Sequence, residues 1–211
     1  MKKTLNRLIR KTPLARVLKK RQAEREIEKW KNDGKPVPPP HIIKQRALVS
    51  YAEKFGLKIM IETGTFYGDM VDATKENFEQ IYSIELSEEL FERARVRFKG
   101  DGHIKLIHGD SGVELKKLMN NINQPALFWL DGHYSAGVTA RGDKDTPINE
   151  ELSHILSAND LGHVIIIDDA RCFGVDPAYP SIEELTSFVR GKRLNIDIAV
   201  QDDSIRITPK R

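Results

Sequence analysis

Two short apolar runs that end in carboxylates constrain this chain more than any other feature. Val164-Ile165-Ile166-Ile167 leads directly into Asp168-Asp169, and Ala126-Leu127-Phe128-Trp129-Leu130 leads into Asp131. Both runs are apolar throughout and rich in β-branched or aromatic residues, as expected of strands buried on both faces. Strands of that kind belong to parallel α/β sheets, whose ligands bind outside the carboxyl ends of the strands. Three carboxylates at that edge suit a hard divalent cation, which prefers oxygen ligands.

The remaining pattern repeats the same unit. Residues 41–55 read as a helix, Lys58–Glu62 as a first strand, roughly 68–77 as a helix and Ile81–Glu85 as a second strand. Ser87 is a suitable N-cap for a helix that buries Leu90, Phe91, Ala94 and Phe98. A strand at Ile104–His108, a helix at about 111–121 and the Ala126–Asp131 strand follow, then a helix at about 147–157 and the Val164–Asp168 strand. Pro180 and Ser181 open a last helix to about residue 190. Asn195–Val200 and Ser204–Thr208 alternate more and read as an antiparallel pair joined through Gln201-Asp202-Asp203. Strands alternating with helices indicate an α/β, Rossmann-like, doubly wound sheet, seven-stranded and mostly parallel, with a C-terminal antiparallel hairpin.

The net charge of +3 conceals an asymmetry. Residues 1–46 carry 15 Lys and Arg against 4 Asp and Glu, whereas residues 47–211 carry 19 against 27. An acidic domain therefore carries a basic N-terminal arm. Leu5, Leu8, Ile9, Leu14, Val17, Leu18, Ile27 and Trp30 recur in the arm at roughly helical spacing, with Pro13 placed to break or restart the helix. Such a helix suits an anionic membrane, a partner protein, or its own acidic domain. Nucleic acid is disfavoured, because no aromatic residues interleave with the charges. Gly34-Lys35-Pro36-Val37-Pro38-Pro39-Pro40 is a stiff linker, so residues 1–40 form arm and linker and 41–211 the domain. Nothing approaches the ~18 apolar residues of a membrane span. The single Cys172 excludes an internal disulfide. No acid precedes Glu24, as in a transit peptide, but neither does any serine; a cytoplasmic location, with a peripheral membrane contact left open, is the expectation.

The first strand runs into Glu62-Thr63-Gly64-Thr65-Phe66-Tyr67-Gly68. An acid, a glycine and a second glycine at a helix start form a nucleotide-type turn, where glycines admit close backbone approach. The dinucleotide fingerprint G-x-G-x-x-G is absent, which argues against a pyrophosphate cradle and leaves room for a smaller ligand. Glu85 ends the next strand, where an acid commonly accepts hydrogen bonds from a ribose diol, and Gly109-Asp110-Ser111 after the third strand can meet an adenine edge. Singly, a glycine turn is more often only a turn, and a strand-end acid more often a helix cap. Their order at successive strand ends is the informative part.

In these residues the chain resembles the class I S-adenosylmethionine-dependent methyltransferases. Glu62–Gly68 looks like the E-x-G-x-x-x-G form of their first motif, common in cation-dependent O-methyltransferases. The resemblance spans roughly residues 45–210. It implies a cofactor, S-adenosylmethionine, held by the Gly64-Thr65 to Gly68 turn, with Glu62 and the Gly64 backbone at its amino-acid part. Glu85 would take its ribose, and Asp110 with Ser111 its adenine. Metal-dependent members place one Asp after the fourth strand and an acidic or amide pair after the fifth, which Asp131 and Asp168-Asp169 fit. The Asp-Asp pair is closest to the macrocin-type sugar O-methyltransferases; the catechol and caffeoyl-coenzyme A types usually pair Asp with Asn.

Through that resemblance, Mg²⁺ on Asp131, Asp168 and Asp169 would bind vicinal hydroxyls of an acceptor and lower the pKa of one. The catechol type has a Lys three residues after the first Asp, where Tyr134 stands here. His133 is the general-base candidate, with Asp131 as the alternative, since an imidazole titrates near neutral pH. The glycine-punctuated loop 132–147 has the length of a lid, and Arg141, Lys144 and Arg171 can meet an anionic acceptor or pair with nearby aspartates. The expectation is an O-methyltransferase for a small hydroxylated acceptor, such as a sugar of a glycan or secondary metabolite, with homo-oligomerisation left open. Two alternatives stand beside it: a metal-dependent hydrolase on the same fold, centred on Asp131, His133 and Asp168, and a non-catalytic cofactor-binding or scaffold protein docked through its arm.

Overall fold

The structure, a computed structural model, describes residues 13–132 and 146–210. Helices α1 (Pro13–Asn32) and α2 (His41–Phe55) precede β1 (Ile59–Thr63), α3 (Asp69–Thr74) and β2 (Gln80–Glu85). Then come α4 (Glu88–Arg97), β3 (Ile104–His108), α5 (Ser111–Met119), β4 (Ala126–Leu130), α6 (Ile148–Ser157) and β5 (Val164–Ile167). The chain ends in α7 (Ile182–Lys192), β6 (Ile196–Gln201) and β7 (Ser204–Pro209). The strands form one sheet in the order β3-β2-β1-β4-β5-β7-β6. β1 to β5 pair in parallel, and β7 runs antiparallel between β5 and β6. The doubly wound sheet and terminal hairpin are therefore as the alternation predicts.

The apolar runs are strands because helices cover the sheet on both sides. Every residue of β1, β4 and β5 is buried. Successive strand residues face opposite ways: Ile61, Phe128, Ile165 and Ile167 pack with Leu115 of α5, Leu152 of α6 and Leu185 of α7. Met60, Leu127, Trp129 and Ile166 pack instead with Leu48 of α2, Val71 of α3 and Ala94 of α4.

Local signals set the helix starts. Ser87 accepts a hydrogen bond from the Leu90 N–H at α4, and Ser181 with Glu184 forms a capping box at α7. Differences from the sequence reading lie at the ends. β1 takes in Thr63, because that residue pairs with Ile84 on one side and Leu130 on the other. α3 stops at Thr74 and tightens into a 3₁₀ turn at Lys75–Asn77. The β6–β7 turn places Asp202 and Asp203 at φ 50° and 61°, the left-handed pair that a tight hairpin requires.

The arm helix α1 buries Ile27 and Trp30 and leaves Val17 and Leu18 exposed. Trp30 Nε1–H donates to Pro36 O at 2.8 Å, which ties the helix to the proline segment. No described helix is long and apolar enough to cross a membrane.

Phe128 is fully buried in the middle of the sheet. Phe128→Ala is expected to lower unfolding free energy by about 3–5 kcal/mol, read by urea denaturation.

Candidate active site

Parallel pairing brings the strand-end residues into one row. Thr63, Ile84, Leu130 and Ile167 are register partners across β2-β1-β4-β5. The ladder continues past the strand ends. Gly64 N–H donates to Ile84 O (3.0 Å), Asp131 N–H to Thr63 O (3.2 Å) and Asp168 N–H to Leu130 O (3.0 Å). The direction of crossover reverses between β1 and β4, at the switch point where doubly wound sheets bind ligands.

Gly64 sits at φ +82°, and a Cβ there would lie 2.5 Å from Asp131 O, so only glycine fits. Gly68 N–H closes the turn on Thr65 O at 2.7 Å, and α3 starts there. Glu85 Oε2 accepts the Phe66 N–H at 2.7 Å and Oε1 accepts the Ser87 N–H at 2.8 Å. A carboxylate offers about four acceptor sites, so two remain for a ligand diol. Glu62 lies beneath the turn, almost wholly buried, and accepts a hydrogen bond from the Ser83 hydroxyl, which in turn meets Thr65 Oγ1 at 2.6 Å. Burial, reinforced by the Asp131 and Glu85 carboxylates, pushes Glu62 up to about 8. Asp110 caps α5 through the Gly112 N–H at 2.8 Å, and Ser111 opens that helix.

The three aspartates converge. One carboxylate oxygen from each of Asp131, Asp168 and Asp169 lies within 4.8 Å of the others. Consecutive residues on a strand point to opposite faces, so a vicinal pair meets only if the backbone leaves the strand. Asp169 does so at φ +56°, a conformation that Asp tolerates better than most residues. Behind it, Arg171 Nη1 lies 2.7 Å from Asp169 Oδ1 and also pairs with Asp203 of the β6–β7 turn. Arg171 thus serves as a strut for the pair.

Lys44, on the first turn of α2, faces the aspartates from the other side. Its Nζ donates to Asp168 Oδ2 at 2.5 Å and lies 3.6 Å from Asp169 Oδ1. Against the cost of burial, Asp168, Asp169 and Asp131 push the Lys44 ammonium further up. Burial and the Asp131 charge push Asp168 up to about 7, although Lys44 opposes them. Asp168 Oδ1 is buried without a hydrogen-bond partner among the described residues. An oxygen-only donor set with one bare buried oxygen fits a hard cation.

One further buried group, Glu151, is not singled out by the sequence pattern. Glu151 of α6 is almost wholly buried beside Gly132, Thr63 and Ser111. Burial, then the nearby Asp110 and Asp131, pushes Glu151 up to about 7. Glu151, Asp131 and Asp168 share a cavity of about 10 Å³, roughly room for one water. His154 Nε2 lies 2.8 Å from Gly112 O, a bracing contact between α6 and α5. The general-base candidate His133, with Tyr134, Arg141 and Lys144, lies outside the described residues.

No protein-family model matches the sequence, and no curated protein matches it either. Solved structures do match in fold. An O-methyltransferase from Bacillus cereus in complex with S-adenosylhomocysteine aligns over 90% of this chain and 90% of its own, with TM-score 0.61 and 15% identity. TomG from Streptomyces achromogenes, an O-methyltransferase of tomaymycin synthesis bound to S-adenosylmethionine, aligns over 89% and 88% with TM-score 0.60 and 16% identity. The Podospora anserina methyltransferase PaMTH1, bound to S-adenosylhomocysteine, aligns over 95% and 97% with TM-score 0.56 and 18% identity. The chain shares the α/β, Rossmann-like fold of these methyltransferases.

Glu62, Glu151 and Asp168 keep protons in the fold that the unfolded chain has already released. Stability contributed by such groups falls as pH rises towards their folded pKa values. His163, pushed down to about 4 by burial, acts in the opposite sense only below its ordinary 6.5. Between about pH 6.5 and 8 the melting temperature should therefore fall. Glu151→Gln should flatten this fall, gaining on the wild type by about 2–4 °C per kcal/mol, read by scanning calorimetry.

Proposed function

We propose that the chain is an S-adenosylmethionine-dependent O-methyltransferase, assisted by Mg²⁺, for a small hydroxylated acceptor such as a sugar of a glycan or secondary metabolite. The observation that carries this reading is one contact. The Gly64 turn and the backbone of Asp131 touch, so the cofactor-type row and the carboxylate triad share one sheet edge. The similarity of fold to methyltransferases solved with S-adenosylmethionine or S-adenosylhomocysteine supports the cofactor.

In this reading Glu85 receives the ribose hydroxyls on its two remaining acceptor sites, and the 64–68 turn seats the amino-acid end above Glu62. Asp110 and Ser111 border the adenine. Asp131, Asp168 and Asp169 hold the cation. When bound, the cofactor supplies a methyl group on a positively charged sulfur, and the cation lowers the pKa of an acceptor hydroxyl. Methyl transfer requires in-line approach of oxygen to carbon, so residues fixed to strand ends contribute chiefly by positioning. Asp131, or His133 two residues on, takes the hydroxyl proton.

Calorimetry tests the reading. S-adenosylmethionine should bind, Mg²⁺ should bind and be stripped by a chelator, and Asp168→Asn should lose the metal effect while keeping the cofactor. Absence of cofactor binding overturns the methyltransferase reading. Cofactor binding that is indifferent to metal in both proteins leaves a metal-free enzyme.

The exposed Val17 and Leu18 on α1 support a second role for the arm, beside seven Lys and Arg against three Glu in that helix. Apolar residues flanked by cations suit the surface of an anionic membrane. Wild-type protein should sediment with phosphatidylserine vesicles and not with neutral ones. Arg21→Glu with Arg25→Glu should abolish this, and a wild type that ignores anionic vesicles removes the membrane role.

A further inference from the structure

Lys44 stands where a cation would stand. Its ammonium spans Asp168 and Asp169, two of the three carboxylates of the triad, and its side chain is only 12% exposed. The side chain arrives against the preference of its own helix. The N-terminal turn of a helix favours anions, yet the first turn of α2 contains Lys44 and no acid. What holds Lys44 there is the triad. The pairing is also incomplete, since the ammonium engages Asp168 Oδ2 and leaves Oδ1 buried and bare. Arg171 is a different kind of partner. It is braced by Asp203 behind Asp169 and is the more exposed of the two cations.

We propose that Lys44 is a tethered cation seated on Asp168 and Asp169 of the triad, and that a divalent cation enters by displacing it. The inference rests on the cation-assisted reading above. Mg²⁺ binds oxygens at about 2.0–2.1 Å and demands near-octahedral geometry. Asp168 keeps free lone pairs, Oδ1 among them, but an ion bound on the triad would lie within a few ångströms of the Lys44 ammonium, and the two like charges repel. A lysine can leave, because its charge is carried on a flexible four-carbon stem. The metal-free triad then never lacks a counter-ion, and metal affinity in the wild type is the balance of an exchange rather than of simple binding.

Titration of the full-length protein with Mn²⁺, followed by the electron paramagnetic resonance of the free ion, tests this without any assay of activity. Lys44→Met removes the charge and keeps the chain length; Lys44→Gln is a second variant in case the first folds poorly. Both should bind one Mn²⁺ about tenfold more tightly than the wild type, or better, the scale of a hydrogen bond to a charged group. Lys44→Arg, which keeps the charge, should not tighten binding. Adding Asp168→Asn to Lys44→Met should lose the site. Wild type and Lys44→Met binding Mn²⁺ equally, or the variant more weakly, overturns the inference and leaves the cation-assisted reading intact. No Mn²⁺ bound by either protein, with S-adenosylmethionine still bound, overturns both. Tighter Mn²⁺ in the variants with no S-adenosylmethionine binding upholds Lys44 as the competitor and removes the methyltransferase reading instead.

Discussion

Three carboxylates brought within 4.8 Å of one another at the edge of a sheet are the constraint around which the rest of this molecule is arranged. Asp168 and Asp169 are both buried, and like charges this close cannot all remain ionised without a positive partner. The chain answers in two ways. Asp168 is pushed up to about 7, so part of the charge is relieved by a proton. Two cations complete the compensation: Lys44 arrives from the first turn of α2, and Arg171, two positions after Asp169, is braced by Asp203 of the β6–β7 turn. The antiparallel hairpin, which looks like an appendage to a parallel sheet, thus braces the second aspartate of the pair.

The fold was legible because burial on both faces writes itself into the sequence. A run such as Val164–Ile167 has no polar position, so it can only be a strand between two helical layers or a buried helix, and four residues are too few for the latter. Caps were legible for the same local reason: Ser87 and Ser181 each act on a backbone N–H three residues away. The ends were less so. Thr63 joins β1 through neighbours 21 and 67 positions further on, Ile84 and Leu130, which no local pattern contains.

At the site, the strand-end acids were legible because their addresses follow from the strands. Their convergence was not, since two adjacent aspartates on a regular strand would diverge. The left-handed conformation of Asp169 makes them meet. Nothing local in the sequence marks Glu151 as buried; its packing beside Thr63 and Gly132 shows it. Lys44 lies 124 positions from Asp168, on the helix before β1, and no local pattern links the two. One signal did exist. A helix that leads directly into β1 runs antiparallel to it, so its first turn must lie near the carboxyl edge of the strands. A lysine there, in a turn without acids, marks a negative partner.

Asp131 joins the two halves of the site. Its carboxylate belongs to the triad, and its charge helps raise Glu62 on the cofactor-like side as well as Asp168 and Glu151. Its N–H extends the ladder to Thr63, and its carbonyl occupies the space that a side chain on Gly64 would need. The distance from the turn to the carboxylate seat is therefore set by strand pairing between β1 and β4, not by a loop. For the proposed methyl transfer, whose demand is a fixed line from one oxygen to one carbon, a backbone contact between paired strands is a stiffer ruler than any side chain. A positive charge arriving on either side of Asp131 also relieves the repulsion felt on the other. In the proposed reading, occupancy of the turn and of the triad is coupled through this one residue, since each cationic ligand would favour the ionised form of the carboxylates facing the other.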